Sequence, residues 1–308
     1  MTTSRSATPS DRWALLRPSL LGLAHRQGLA SRQGLASRQG RGLWNLALGC
    51  LFLASALVGC GGAASDPNRF VMAEIDDWAT FDPGMMTGAP EGRVAMSLFE
   101  GLWMPGPGSR PPEYAVAKSH TVSEDGLAWT IQLRDDAKWS NGDPVRAQDF
   151  EYAWRRVLTP GFKADYAKLL TVIKNADAYR RGTLTDWAQV GVKVLGGHEI
   201  QLTLEYPVPY LPEILSFYTF FPVHQATVEK FGADWTRPSN IVTNGPYILH
   251  EYRPGQSLTM KRSPTYHSPD TVGLETVVLR IVKDLNSQFD MYEKGQLHVL
   301  TTLNNDKI

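Results

Sequence analysis

Short segments along the chain either alternate between apolar and polar residues or repeat apolar residues at helical spacing. Residues 129–134 and 200–206 alternate strictly, which is typical of strands that bury one face. Residues 148–158 place apolar side chains on one helical stripe, and residues 94–102 do the same. The pattern predicts a mixed α/β protein in which strands and short helices are joined by turn-rich loops.

The same pattern predicts the remaining elements of the body. Turns are indicated where Asp, Asn, Pro and Gly cluster, because these residues suit tight backbone geometry. The predicted elements are strands at 70–75 and 275–282, a hairpin over 246–261 around Pro254-Gly255, helices at 211–221, 227–231 and 287–294, and turns at 81–84 and Asn141-Gly142. Gly232 and Gly295 follow two of these helices, where glycine commonly ends a helix.

A leader precedes the body. Seven Arg lie within residues 1–59, and residues 43–58 read LWNLALGCLFLASALV. A basic stretch followed by an apolar run of this length is typical of an export signal. The run ends in Leu57-Val58-Gly59-Cys60, which resembles the lipobox of bacterial lipoproteins and makes Cys60 the expected acylated residue. The alternative is an N-terminal transmembrane anchor with an incidental cysteine.

Upstream of the apolar run, the hexapeptide RQGLAS occurs at 26–31 and again at 32–37, and a third copy begins at Arg38. This Gly-rich, low-complexity stretch matches no repeat architecture and favours disorder. We interpret residues 1–42 as an overlong leader. A basic segment that lies on the membrane surface is the alternative.

Charge and cysteine content exclude several classes of function. Residues 60–308 carry 24 bases and 30 acids, and this net charge of −6 disfavours nucleic-acid binding. Both cysteines, Cys50 and Cys60, lie in the leader region, so the body has no disulfide framework and no cysteine nucleophile. No catalytic motif is present, and we expect neither an enzyme nor a cofactor or metal. Six histidines lack metal-ligand spacing and are interpreted as surface or packing residues: His120, His198, His224, His250, His267 and His298.

A set of short motifs lies in order along the body. The longest is LRDDAKWSNGDPV at 133–145, and the others are LFEGL at 98–102, Asp149-Phe150, GVK at 191–193, PVPY at 207–210, VTNGPY at 242–247 and YEKG at 292–295. In order and approximate spacing, these motifs resemble the extracellular solute-binding family of oligopeptide- and dipeptide-binding proteins. The resemblance extends from about Phe70 to His298 and is closer to the oligopeptide branch than to the nickel or heme branches.

The resemblance implies a periplasmic-binding-protein clam-shell with mixed sheets, in which a peptide lies between two lobes. We expect a signal and lipobox at 43–59, a first-lobe segment at 60–99, a small family-specific domain at 100–225, and a further first-lobe segment at 226–308. Family members continue beyond the position of Ile308, so we expect this chain to be truncated before the second lobe.

The resemblance also implies which residues contact peptide. The segment at 87–91 aligns with backbone that lines the cleft, Tyr166 with a cleft tyrosine, and Asn244-Gly245 with a turn at the cleft edge. The alternatives are that the glycines serve turns and that Tyr166 packs in the core. The expected peptide-contacting residues are Thr87, Gly88, Ala89, Tyr166, Asn244 and Gly245.

The function implied is that of a lipid-anchored, exported substrate-binding protein, located in the periplasm or at the cell surface. We expect a monomer that captures short peptides through main-chain hydrogen bonds and delivers them to an ABC permease and ATPase complex. A peptide-sensing surface lipoprotein and a nonfunctional fragment are the alternatives. One departure from the family pattern is Arg146, which stands where Thr or Ser would cap the following helix; Asp149 in the first turn is expected to offset part of the loss.

Overall fold

The computed structural model describes residues 66–303, which form ten strands and six α-helices. The strands are β1 (Arg69–Glu74), β2 (Trp103–Met104), β3 (Glu113–Tyr114), β4 (Ala117–Val122), β5 (Ala128–Leu133), β6 (Val192–Gly196), β7 (Glu199–Thr203), β8 (Tyr247–Arg253), β9 (Ser257–Arg262) and β10 (Thr276–Ile281). The helices are α1 (Gly88–Leu98), α2 (Ala147–Leu158), α3 (Ala176–Arg180), α4 (Leu211–Leu215), α5 (Gln225–Phe231) and α6 (Leu285–Glu293).

The first sheet joins the two ends of the described chain. Its strand order is β1-β10-β9-β8, with β1 parallel to β10 and the other neighbours antiparallel. On the free side of β1, Val299 makes a further parallel bridge to Met72. The pairings of β1 are therefore parallel on both of its sides, and the carboxyl ends of β1 and β10 lie at the same edge of the sheet.

The second sheet is built from the middle of the chain. Its order is β4-β5-β7-β6, and all of its pairs are antiparallel. The strict alternation predicted for β5 and β7 is confirmed, because Trp129, Ile131, Leu133, Ile200 and Leu202 are all buried. β2 and β3 form a separate two-stranded ribbon.

Most of the predicted elements agree with the structure, and three differ. The predicted helix over 211–221 is broken into α4 and a 3-10 turn at 218–220. The stripe over 94–102 is helical as far as Leu98, where Phe99 takes an extended conformation. Tyr206 was placed on the buried face of a strand that in fact ends at Thr203, and its side chain is 51% exposed. No helix within residues 66–303 has the length and apolar character needed to cross a bilayer.

Helix α2 contributes the largest side chains to the core. Phe150 and Trp154 are fully buried, and the Trp154 indole N–H donates to the Phe220 carbonyl at 2.8 Å. At the start of the helix, the Asp149 carboxylate accepts from the Arg146 backbone N–H at 2.8 Å and from the Trp139 indole at 3.1 Å. Burial raises the pKa of Asp149. Asp149 therefore supplies the half of a capping box that satisfies the N–H of the N-cap residue, and the Arg146 side chain caps none of the first-turn N–H groups.

A buried hydrogen bond joins Glu100, two residues after the end of α1, to the β9–β10 loop. The Glu100 carboxylate contacts His267 Nε2 at 2.5 Å, and both side chains are about 5% exposed. The Tyr266 hydroxyl donates to the other Glu100 oxygen at 2.8 Å, and Arg134 approaches His267 at 3.4 Å from the end of β5. The cluster thereby connects the two larger sheets. His267 is a packing histidine as predicted, but its partner was not foreseen.

The Glu100–His267 pair generates a stability prediction. His267→Ala should lower the free energy of unfolding by about 1–3 kcal/mol, because it leaves one oxygen of the buried Glu100 carboxylate without its hydrogen-bond partner. His250→Ala, at an exposed position on β8, is the matched control and should change stability by less than about 0.5 kcal/mol. Urea unfolding at pH 6 measures both. Equal midpoints for the two variants would contradict the prediction.

Candidate functional site

The candidate site lies where the parallel strands end and helix α1 begins. Arg93, one turn into α1, forms an ion pair with Glu74, the last residue of β1, at 2.6 Å. This contact holds the first half of α1 at the C-terminal edge of the sheet. In open α/β sheets, ligands bind at the carboxyl ends of parallel strands, where helices begin.

The loop between β1 and α1 is closed by a single carboxylate. Glu91 accepts the backbone N–H of Ala79 at 3.1 Å through one oxygen and the N–H of Thr87 through the other. Glu91 is 9% exposed, so these hydrogen bonds lie largely out of solvent. The loop consequently presents a defined tip at residues 87–89, and all three of its residues are exposed.

Helix α1 begins without a side-chain cap. Thr87, at the N-cap, has φ −139° and ψ 148°, which are the values of an extended strand. The first N–H groups of a helix have no partner within the helix, which leaves the N–H groups of Gly88 and Ala89 available as donors. Pro90, the next residue, has no N–H to satisfy.

An aromatic cluster borders this tip. Tyr166 packs edge-on against Phe217 with ring centroids 4.8 Å apart, and Phe217 stacks on Tyr218 at 4.4 Å. The Tyr218 hydroxyl donates to the Gly88 carbonyl at 3.3 Å. Its ring lies so close to Gly92 that a Cβ there would stand 2.9 Å away. Burial raises the pKa of Tyr218, with the neighbouring Tyr166 as a second cause, so the hydroxyl remains a donor at neutral pH.

The predicted site residues divide into two groups. Thr87, Gly88, Ala89 and the half-buried Tyr166 share one surface around the start of α1. Asn244 and Gly245 instead contact the other end of this 11-residue helix, about 16 Å away at 1.5 Å per residue. The structure therefore brings four of the six together.

Asn244 and Gly245 hold the end of α1 in place. The Asn244 amide accepts from the Glu100 N–H at 3.0 Å and donates to the Glu100 carbonyl at 2.9 Å. The Gly245 N–H donates to the Leu98 carbonyl at 2.9 Å, and a Cβ on Gly245 would lie 2.6 Å from the Leu98 carbonyl carbon. Both residues are buried. Contacts within the fold account for these two residues, and their peptide role stays a prediction.

The sequence did not indicate Phe217 and Tyr218 as parts of the site, and it placed Glu91 in the cleft segment without indicating that its carboxylate closes the loop. Phe217 and Tyr218 were assigned to a continuous apolar helix, but the chain breaks there and turns both rings toward α1. Gly92, a small residue inside a helical stripe, was the available signal, since glycine in such a place often permits close approach.

Three open cavities among residues 66–303 lie elsewhere, and none of these three is lined by Thr87, Gly88, Ala89 or Tyr166. The largest, about 1080 Å³, lies along α2 and β6. Among residues 66–303, no group of three or more His, Cys, Asp or Glu side chains is arranged to hold a metal ion. The candidate site is thus an exposed surface of backbone donors and aromatic rings.

Comparison with known structures defines the class as periplasmic binding proteins. The chain superposes on OppA from Burkholderia pseudomallei with a TM-score of 0.72 and 32% identity, over 76% of this chain and 46% of that one. Haemophilus influenzae OppA in complex with the peptide RPPGFSPFR matches with a TM-score of 0.72 and 30% identity, over 75% of this chain and 45% of that one.

Residues 111–308 match the family model described as bacterial extracellular solute-binding proteins, family 5 Middle. The periplasmic oligopeptide-binding protein OppA of Escherichia coli is 35% identical over 248 residues, which are 79% of this chain and 45% of the relative. The chain therefore belongs to the family 5 extracellular solute-binding proteins, and the expected fold is confirmed. It spans about half the length of the relatives that it matches.

The close contact between Gly245 and the Leu98 backbone at the end of α1 generates a second stability prediction. Gly245→Ala should destabilise the protein by about 1–3 kcal/mol, because the added methyl group meets the backbone of Leu98. Gly273→Ala is the matched control, since nothing lies within 4 Å of the added atom there. Denaturant midpoints measure both changes, and a Gly245→Ala protein as stable as the control would show that the packing at this turn is looser than described.

Proposed function

We propose that this chain forms part of the substrate-binding component of an ABC importer and that it contacts short peptides at the start of α1. The observation that carries the proposal is the meeting of exposed main-chain donors at Gly88 and Ala89 with the aromatic wall of Tyr166 and Phe217. Membership of the solute-binding family and the likeness to proteins named for oligopeptide binding support it.

The chemistry of the tip suits a peptide main chain. The extended backbone at Thr87 continues into two uncapped N–H groups, which can donate to the carbonyl groups of a peptide aligned alongside. Hydrogen bonds to main-chain atoms are independent of side-chain identity. Recognition of this kind accepts many peptide sequences, with affinity supplied by the backbone contacts.

The aromatic wall supplies the second contact. Tyr166 is half-buried and held edge-on against Phe217, so its ring has lost most of its freedom before a ligand arrives. Rigid aromatic rings give large contact area at low entropic cost. The ring would pack against a peptide side chain or main chain without imposing a charge.

The proposed division into lobes rests on the two larger sheets. Residues 60–99 and 226–308 would form the first lobe, which agrees with the pairing of β1 to β10, and residues 100–225 the small domain around β5. Closure of a second lobe over the peptide, followed by delivery to an ABC permease and ATPase complex, is proposed for the whole protein. A ligand drives such closure when it contacts both walls.

The lipid anchor is a separate part of the proposal. The predicted lipobox at 57–60 lies outside the described residues, and the support for it is the order of basic, apolar and lipobox segments in the sequence. Acylation at Cys60 would hold the exported protein at a membrane, because several acyl chains on one residue make a stable anchor.

Peptide binding is tested by calorimetry on the full-length protein. Trialanine should bind, whereas alanine, glucose and Ni²⁺ should not. Tyr166→Ala should weaken trialanine binding about fivefold to tenfold, since it removes an aromatic contact of about 1 kcal/mol. Tyr210→Ala is the matched control, because this tyrosine is 52% exposed and does not belong to the aromatic cluster. Binding of Ni²⁺ or glucose without peptide binding would refute the proposed function.

Lipid attachment is tested by labelling cells of a bacterial host with radioactive palmitate. The wild-type protein should incorporate the label, and Cys60→Ser should abolish it and block cleavage of the signal. Cys50→Ser, the control in the same apolar run, should be labelled normally. Label that persists in the Cys60→Ser protein would overturn the lipoprotein proposal.

A further inference from the structure

A tight turn at Asp82 lies within the loop that ends in the exposed tip at residues 87–89. The Asp82 carbonyl accepts the N–H groups of Met85 and Met86, and one carboxylate oxygen accepts the Gly84 N–H at 3.0 Å. The side chain of Asp82 is 4% exposed. The turn is thus organised around one buried carboxylate, and the position of this carboxylate determines where the loop runs.

The second oxygen of Asp82 is held from helix α2. Arg156 donates to it at 2.7 Å, and the Trp235 indole N–H approaches it at 3.4 Å. The Arg156 side chain is 17% exposed, so the pair is shielded from most of the solvent. The pair therefore fixes the Asp82 turn to α2, because a largely desolvated and hydrogen-bonded ion pair is not exchanged freely for water.

Arg156 also contacts the segment that leads to Tyr166. Its guanidinium lies 5.0 Å from the centroid of the Phe162 ring, within the range of a cation–π contact. The Phe162 ring also borders Gly84, where a Cβ would stand 3.4 Å from it. One side chain thus touches both the Asp82 turn and the segment that precedes Tyr166.

The path from Phe162 to Tyr166 is short and tightly turned. The Ala164 N–H donates to the Phe162 carbonyl at 3.0 Å, and the Ala167 N–H donates to the Ala164 carbonyl at 3.2 Å. Because these hydrogen bonds restrain the backbone between them, a displacement of Phe162 would also displace Tyr166, four residues later. The Arg156 guanidinium therefore contacts both Asp82, which organises the loop before the tip at residues 87–89, and Phe162, which begins the segment that leads to Tyr166.

We infer that Arg156 is a positioning residue for peptide binding, which sets the separation between the tip at residues 87–89 and the Tyr166 ring. This inference rests on the proposed function, and it assigns to Arg156 the geometry of that site and no contact with the ligand. A planar guanidinium can bind a carboxylate and lie over a ring at the same time, and a lysine ammonium reproduces the charge without the planar contact.

The experiment compares Arg156→Met with Arg155→Met in the full-length protein. The two arginines are adjacent on α2, and Arg155 is exposed. Amide hydrogen exchange without ligand is followed at Gly84, Met86 and Thr87, with the core strand β5 as the reference for global unfolding. Isothermal calorimetry with trialanine gives the affinity of each variant, and Arg156→Lys tests rescue by a conservative change.

Arg156→Met should speed exchange at the three loop amides at least about tenfold relative to β5, because the loop opens locally. It should weaken trialanine binding about tenfold, and Arg156→Lys should recover part of this loss. Arg155→Met should change neither quantity. Unchanged loop exchange in Arg156→Met, or unchanged affinity despite faster exchange, would overturn the inference.

Two features of the design keep the outcome decisive. Should Arg156→Met fail to fold, Asp82→Asn replaces it, since the amide keeps the size of the side chain and puts an N–H₂ group opposite the Arg156 donor. The loop exchange of Asp82→Asn should rise in the same way, and unchanged exchange there would overturn the inference.

Absence of trialanine binding in the wild-type protein would refute the proposed function, whereas the exchange of the loop amides without ligand tests the positioning by Arg156 separately.

Discussion

Three buried carboxylates hold helix α1, and the rest of the candidate site depends on where that helix lies. Glu74 forms an ion pair with Arg93 in the first half of the helix, and Glu91 accepts backbone N–H groups of the loop that precedes the helix. Glu100, which follows the helix, binds Asn244 through its backbone and His267 through its carboxylate. Each is less than 10% exposed and each is hydrogen-bonded, as a charge must be when it leaves water. The start of α1 can remain uncapped and exposed because its position is fixed from these three directions.

The local part of this architecture was predictable from the sequence, whereas the long-range part was not. Alternation at β5 and β7 and the stripe of α2 require only the period of the side chains, and the buried positions follow from it. Neither the contact between Glu100 and His267, 167 residues apart, nor that between Asp82 and Arg156 leaves a periodic signal. The charged partners inside the fold therefore appear only when the sheets are assembled.

The residues predicted to contact peptide also fall into two groups. The family resemblance identified Thr87, Gly88, Ala89 and Tyr166, which the structure brings to one surface. It also identified Asn244 and Gly245, whose contacts are with the backbone at the end of α1. A sequence motif indicates that a residue matters, but it does not distinguish a residue that contacts a ligand from one that stabilises the fold. The Asn244 amide makes both of its described hydrogen bonds to the backbone of Glu100, and the peptide role of Asn244 and Gly245 stays a prediction.

The parallel pairing of β1 with β10 has a consequence for the order in which the chain folds. Arg69 pairs with Thr276, so β1 cannot join the first sheet before more than 200 further residues have been synthesised. The second sheet needs only residues 117–203, because its two hairpins, β4-β5 and β6-β7, are joined by the pairing of β5 with β7, and these separations are shorter than that of β1 and β10. Its strands can therefore assemble while β1 is still an unpaired apolar segment. During that interval Val71 and Met72, which are buried in the folded protein, are exposed to misassociation.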